Sequence, residues 1–159
     1  SWGSFPITLF LALMFIGGCA GSTTCGIKIF RLQMLFLFIR NHINKLLSPN
    51  SISIIKYNDQ KISDEFINSV IVFIFSYLFL FMFLSMLLSI AGLDFLSAIS
   101  GAATSISNVG PGLGDVIGPN GNFKEVSDIS KWLLSFGMLL GRLELFAVLV
   151  LFFPSFWKN

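Results

Sequence analysis

Asn108-Val109-Gly110-Pro111-Gly112 and, earlier in the chain, Cys19-Ala20-Gly21-Ser22-Thr23 are the stretches on which the reading turns. Each follows a short apolar segment (95–107 and 5–16) and precedes a longer one (131–153 and 26–47). A hydrocarbon core needs roughly 20 apolar residues in helix, and runs of about 10 to 14 suit half-crossing or buried segments. The layout therefore predicts re-entrant loops: a short helix enters the bilayer and the chain returns as extended backbone. Unpaired carbonyls cannot face lipid, so a glycine-rich turn at membrane depth must be enclosed by protein or line a water-filled path. Glycine lets carbonyls turn inward at φ values that side chains forbid, and a ring of such carbonyls replaces the water shell of a cation. The carbonyl end of each short helix would add favourable potential.

Composition agrees with that setting. The 159 residues are 55% hydrophobic and 11% charged, with 19 Phe, whereas soluble domains carry about 25% charged residues. A net charge of +2 with scattered Lys and Arg excludes a nucleic-acid footprint. Cys19 and Cys25 match no zinc spacing and read as small reduced apolar side chains. The chain opens at Ser1 on an apolar stretch with no charged leader, which reads as a piece of something longer with no signal peptide in view.

The expected fold is an all-α polytopic membrane protein built from outer-helix, pore-loop, inner-helix repeats. Segment 1–47 reads as the pore helix, filter loop and inner helix of a penultimate repeat, and 48–65 as a polar connection. Segment 66–159 reads as a complete last repeat: outer helix 66–93, pore helix 94–107, filter 108–112, inner helix 131–153. Phe, Leu, Ile and Met without charge make 66–93 the clearest span. Asp94 is the expected N-cap of the short helix, whose Ser97, Ala98, Ser100, Gly101, Ala102 and Ala103 permit close packing. Trp132 and Trp157, 25 residues apart, suit an aromatic belt at both interfaces.

Rival glycine motifs fail. Gly21-Ser22-Thr23-Thr24-Cys25-Gly26 starts like a phosphate loop, but Ile27 stands where Lys is required. Gly110, Gly112 and Gly114 lack the spacing and preceding strand of a dinucleotide fold. An intramembrane serine hydrolase, prompted by the serines from 97 to 107, would need a base at membrane depth, and the single His42 lies outside the core.

Phe15-Ile16-Gly17-Gly18-Cys19-Ala20-Gly21-Ser22-Thr23, Gly26-Ile27-Lys28, Ser107-Asn108-Val109-Gly110-Pro111-Gly112-Leu113-Gly114, Gly141-Arg142-Leu143-Glu144 and Pro154-Ser155-Phe156-Trp157 together resemble the Trk/Ktr/HKT potassium transporter superfamily. Within it the chain is most similar to the bacterial TrkH-type uptake subunit, over 2–158. The resemblance implies the end of the third and the whole of the fourth pore repeat, with potassium passing through a carbonyl-lined selectivity filter and no covalent chemistry or cofactor. It makes Cys19, Ala20, Gly21, Asn108, Val109 and Gly110 the filter residues, the ion being held by backbone carbonyls only. Thr24-Cys25 departs from the glycine or other small residues usual in the family. The resemblance also implies a bacterial inner-membrane, multi-pass location and a homodimer with a cytoplasmic nucleotide-binding regulatory subunit. Two loops cannot ring an ion, so the remaining repeats or a second copy are required, and the competing reading is a non-conducting remnant or assembly partner.

Arg142 and Glu144 fall mid-span, where a charge costs about 3 kcal/mol on insertion scales. Two residues apart on a helix, they point in different directions and need separate partners. By the resemblance, Arg142 faces the pore below the filter, opposite a gating loop within 50–63. Gly137 and Gly141 read as a helix-packing pair. Lys28 and Arg31 read as interface anchors, and His42 as a residue of the cytoplasmic boundary. Arg40, Lys45, Lys56, Lys61 and Lys158 on one side, against Lys124 and Lys131 on the other, make the first side cytoplasmic.

Overall fold

In the computed structural model the described residues are 3–18, 25–48, 56–57, 60–114, 116–119, 121–124, 126–143, 150 and 157. Along the chain they form α1 (Ser4–Met14), α2 (Ile29–Leu47), β1 (Lys56–Tyr57), β2 (Gln60–Lys61), α3 (Asp64–Ile90), α4 (Phe95–Ser107) and α5 (Asp128–Arg142). The polar connection holds a minimal antiparallel hairpin, with Lys56 opposite Lys61 and Tyr57 opposite Gln60.

Helix starts follow from capping chemistry. The Ser63 hydroxyl accepts from the Phe66 amide at 3.3 Å, Asp94 Oδ2 from the Ser97 amide at 3.2 Å, and the Ser127 hydroxyl from the Ser130 amide at 3.3 Å. The Ser127 cap starts α5 at Asp128, one turn before the expected 131, and puts an acid in the first turn and Arg142 in the last, both favourable to the helix dipole. Asp94 is also held below the usual carboxylate range: hydrogen bonding from the Ser97 side chain is the leading cause, partly opposed by desolvation, and the Ser97 amide adds a smaller contribution.

Among the described residues one helix, Glu65–Ile90, is long and apolar enough to cross a membrane. The second expected span is 19 residues long in α2, but Arg31, Arg40 and Lys45 keep it short of that standard. The last expected span is described as helix for 15 residues to Arg142, about 22 Å of rise, and 144–149 and 151–156 lie outside the described residues.

The core is centred on α4, which packs against α3 and α5 and touches α1. Every residue from 100 to 107 is buried, and Ala98, Ala102 and Ile106 share a core with Leu84, Leu88 and Leu134. Small residues do this work because they let the helix backbones approach closely, where dispersion supplies the attraction. A Cβ on Gly137 would stand 2.7 Å from Leu84 Cδ2 and 2.8 Å from Ser105 Oγ, and one on Gly141 would overlap the Ile106 carbonyl oxygen. The two glycines are thus a notch in α5 that receives the last turn of α4. Elsewhere α1 ends on α3 through Phe15, edge-on to Phe81 (4.9 Å) and Tyr77 (6.3 Å). The Arg31 guanidinium sits 3.8 Å from the Phe73 ring centroid, which joins α2 to α3 and uses a charge that the sequence assigned to an interface.

Candidate functional site, the loop after α4

The candidate site is the reversal at the C-terminus of α4. Asn108 occupies the left-handed region (φ 51°, ψ 42°) that closes the helix, a conformation asparagine tolerates better than most residues. Gly110 follows at φ 112°. A Cβ there would meet nothing within 4 Å, so backbone conformation and not crowding demands glycine.

From this reversal the chain runs back along α4, tethered at three heights. The Asn108 amide donates to the Ser105 carbonyl (3.2 Å) and the Val109 amide to the Thr104 carbonyl (3.0 Å). The Gly110 amide donates to Thr104 Oγ1 at 2.9 Å. Lower down, the Ser100 hydroxyl accepts from the Leu113 amide and donates to the Leu113 carbonyl, both at 2.9 Å. A Cβ on Gly114 would touch the Ser97 hydroxyl at 3.0 Å. The Gly112 amide closes the far side on the Ile117 carbonyl at 2.9 Å. Residues 108–111 are exposed, and Gly112 and Leu113 are buried.

These bonds decide where the carbonyls go. N–H and C=O of a trans peptide point in opposite directions, and no described peptide is cis. Turning the amides of Val109 and Gly110 into α4 turns the carbonyls of Asn108 and Val109 away from it. Among the described residues no donor reaches the carbonyl oxygen of Asn108, Val109 or Gly110. Three consecutive carbonyls, two of them aimed to the open side at the negative end of a 13-residue helix, form an arrangement suited to a cation.

The Asn108 side chain is used elsewhere: Nδ2 donates to the Met138 carbonyl of α5 at 3.0 Å. One turn further, about 6 Å along the axis, Arg142 Nη1 donates to Cys25 Sγ at 3.9 Å. Arg142 is thereby close to the chain just beyond the first glycine loop. Glu144, 49–55 and 58–59, which include much of the expected gating loop, lie outside the described residues.

Cys19, Ala20 and Gly21 also lie outside the described residues, but the feet of their loop do not. The Gly17 amide donates to the Ile27 carbonyl and the Ile27 amide to the Phe15 carbonyl, both at 2.9 Å, making a parallel bridge between Ile16 and Ile27. A Cβ on Gly17 would stand 2.5 Å from the Cys25 carbonyl oxygen. Among the described residues no three His, Cys, Asp or Glu side chains gather into a metal site.

Sequence reasoning missed the roles of Ser100, which it read as a small packing residue or as part of a hydrolase serine cluster, and of Thr104, to which it gave no role. Their hydroxyls are engaged with backbone, Ser107 meets the Tyr77 hydroxyl at 2.7 Å, and His42 is stacked on Phe38. The legible signal was spacing: residues 100 and 104, four apart, share one helix face beside a returning loop.

The whole chain, 1–159, matches the TrkH family, described as cation transport protein. It is 46% identical over its full length to the Trk system potassium uptake protein TrkI of Halomonas elongata, and 39% identical over 99% of its length to Trk system potassium uptake protein TrkH of Escherichia coli K12. It spans about a third of those relatives, 32% of each. The structure of the potassium transporter TrkH from Vibrio parahaemolyticus superposes with a TM-score of 0.87 at 36% identity, covering 98% of this chain and 33% of that one.

Proposed function

The chain belongs to the TrkH family of cation transport proteins, and from that premise we propose that it forms the C-terminal part of a potassium uptake transporter. In this reading 1–47 is the rear of the third pore repeat, 48–65 a cytoplasmic gating connection, and 66–159 the fourth repeat. Potassium is the cargo. It sheds water at a ring to which the backbone carbonyls of Cys19, Ala20 and Gly21 and of Asn108, Val109 and Gly110 each contribute one side. The rest of the ring comes from further pore repeats or a second copy. Arg142 stands below the filter as an electrostatic barrier, paired in one state with the connection within 50–63. The whole lies in the bacterial inner membrane as a multi-pass protein, in a homodimer with a cytoplasmic nucleotide-binding regulatory subunit, and uses no cofactor.

The observation that carries this reading is the row of carbonyls at 108–110, unpartnered among the described residues, the first two turned outward because the Val109 and Gly110 amides are taken up by α4. The potassium uptake named for the relatives supports the choice of ion. Rubidium tracer uptake tests it in potassium-uptake-deficient bacteria, with this chain expressed alone and as the replacement for the matching third of the Escherichia coli TrkH. Uptake by the chimaera is expected. Absence of uptake from both, with both proteins present in the membrane, rejects the reading in favour of a non-conducting remnant.

A further inference from the structure

Thr104 stands apart from the filter residues, buried in the last turn of α4, yet it is bonded to two consecutive peptide groups of the loop. Its carbonyl accepts from the Val109 amide at 3.0 Å and its hydroxyl from the Gly110 amide at 2.9 Å. The first contact is one any residue at this position could make. The second belongs to the side chain. Gathering successive N–H groups to one side takes alternating backbone handedness, which Asn108, left-handed at φ 51°, supplies together with Val109, whose φ is not positive. A peptide so placed has two competing orientations. With the Gly110 N–H on Thr104 Oγ1, the Val109 carbonyl faces away from α4. Without the hydroxyl, that N–H is left with no partner at a part-buried position, and rotating the peptide to free it takes the Val109 carbonyl out of line.

From this we infer that Thr104 is a specificity-determining positioning residue: its hydroxyl, by holding the Gly110 amide, sets the direction of the Val109 carbonyl and so the discrimination between potassium and sodium. The inference rests on the filter reading proposed above. Its logic is that a misdirected carbonyl widens or unbalances the ring, and the ion that most needs a preset cage of oxygens loses its advantage. Ser100 differs in kind, since its two bonds to Leu113 fasten the loop below the exposed carbonyls and do not orient them. Ser105 is the internal comparison. It is as buried as Thr104, but its hydroxyl donates to the Ala102 carbonyl within α4 and touches no loop peptide.

The test is carried out in the chimaera described above, measuring sodium competition against rubidium uptake beside potassium competition, with membrane abundance followed in parallel. Thr104→Val, of nearly the same shape, is expected to lower potassium-over-sodium discrimination by about tenfold, the factor that about 1.4 kcal/mol represents. Thr104→Ser, which keeps the hydroxyl, is expected to stay near the parent ratio, and Ser105→Ala to leave the ratio unchanged whatever it does to abundance. Parental discrimination in Thr104→Val, or equal impairment in Thr104→Ser, overturns the inference while the filter reading stands. If Thr104→Val fails to reach the membrane, Thr104→Ala against Thr104→Ser decides on the same ratio. A parent chimaera without uptake removes the filter reading and this inference with it.

Discussion

The two glycine loops follow short helices of opposite character. α1 is built from large apolar side chains and has no buried residue, whereas α4 is built from small ones and is buried from 100 to 107. The described residues show how each loop is held. The first is closed at its feet by backbone pairing between 15–17 and 27, and the second is laid along its own helix by side-chain hydroxyls. A closed foot fixes where a loop begins and ends, while a tether along its length fixes which way each peptide faces. The second loop therefore has its carbonyl directions set within this chain. The exposed faces of α1, with Phe5 and Leu13 at 75% and 49% exposure, are left for other surfaces to cover.

Glycine contacts break the comparison most strongly. Gly141→Ala inserts a methyl into the Ile106 carbonyl at the end of α4, and backbone cannot yield there as a side chain can. The expected loss is about 3 kcal/mol, the upper end for overpacking, read as a lower thermal midpoint of the detergent-solubilised chimaera. Gly17→Ala, against the Cys25 carbonyl, is expected to be similarly harmful at the first loop. If only one of the two destabilises, the loops do not share a need for close backbone approach.

Ser100→Ala sharpens the contrast between closure and tethering. It removes the one hydroxyl that serves both the Leu113 amide and the Leu113 carbonyl, and the expected loss is about 1 to 3 kcal/mol in all. Faster hydrogen exchange confined to 110–114, with 15–17 and 25–29 unaffected, is the expected pattern. Exchange that rises equally in both loops would show that they are held as one unit.

The smallest effect belongs to Asp94. Its carboxyl titrates below the ordinary carboxylate value in the folded protein, so its cap contributes fully above that ordinary value and is lost as pH falls through the depressed one. The stability difference between the parent and Asp94→Ala should be present at pH 7 and shrink below about pH 4. Because Asp94 is exposed, solvent screening keeps the difference small. A difference that grows on acidification contradicts the cap.

Legibility followed range. Asp94 could be read as a cap because its partner amide lies three residues away, and the small-residue helix after it because residues of one helix share a face. Gly137 and Gly141 were readable as a packing pair, although not which carbonyl would fill the notch. Arg31 was assigned to an interface because cations at helix ends commonly go there, and nothing local pointed to Phe73, 42 residues on. The expected start of the last helix at 131 overlooked Ser127, since a polar loop offers several caps and only packing selects one.

By itself the sequence determined the bilayer setting, the order of short helices and glycine loops, and the likeness to a transporter family. Those are written in composition, run length and local motif, each set by a few neighbouring residues. Tertiary structure alone decided that Thr104 and Ser100 turn the loop's amides inward, that Asn108 reaches Met138, and that Arg142 meets Cys25. A hydrogen bond is directional within about 3 Å, and whether two groups far apart in sequence come that close depends on how every intervening helix packs.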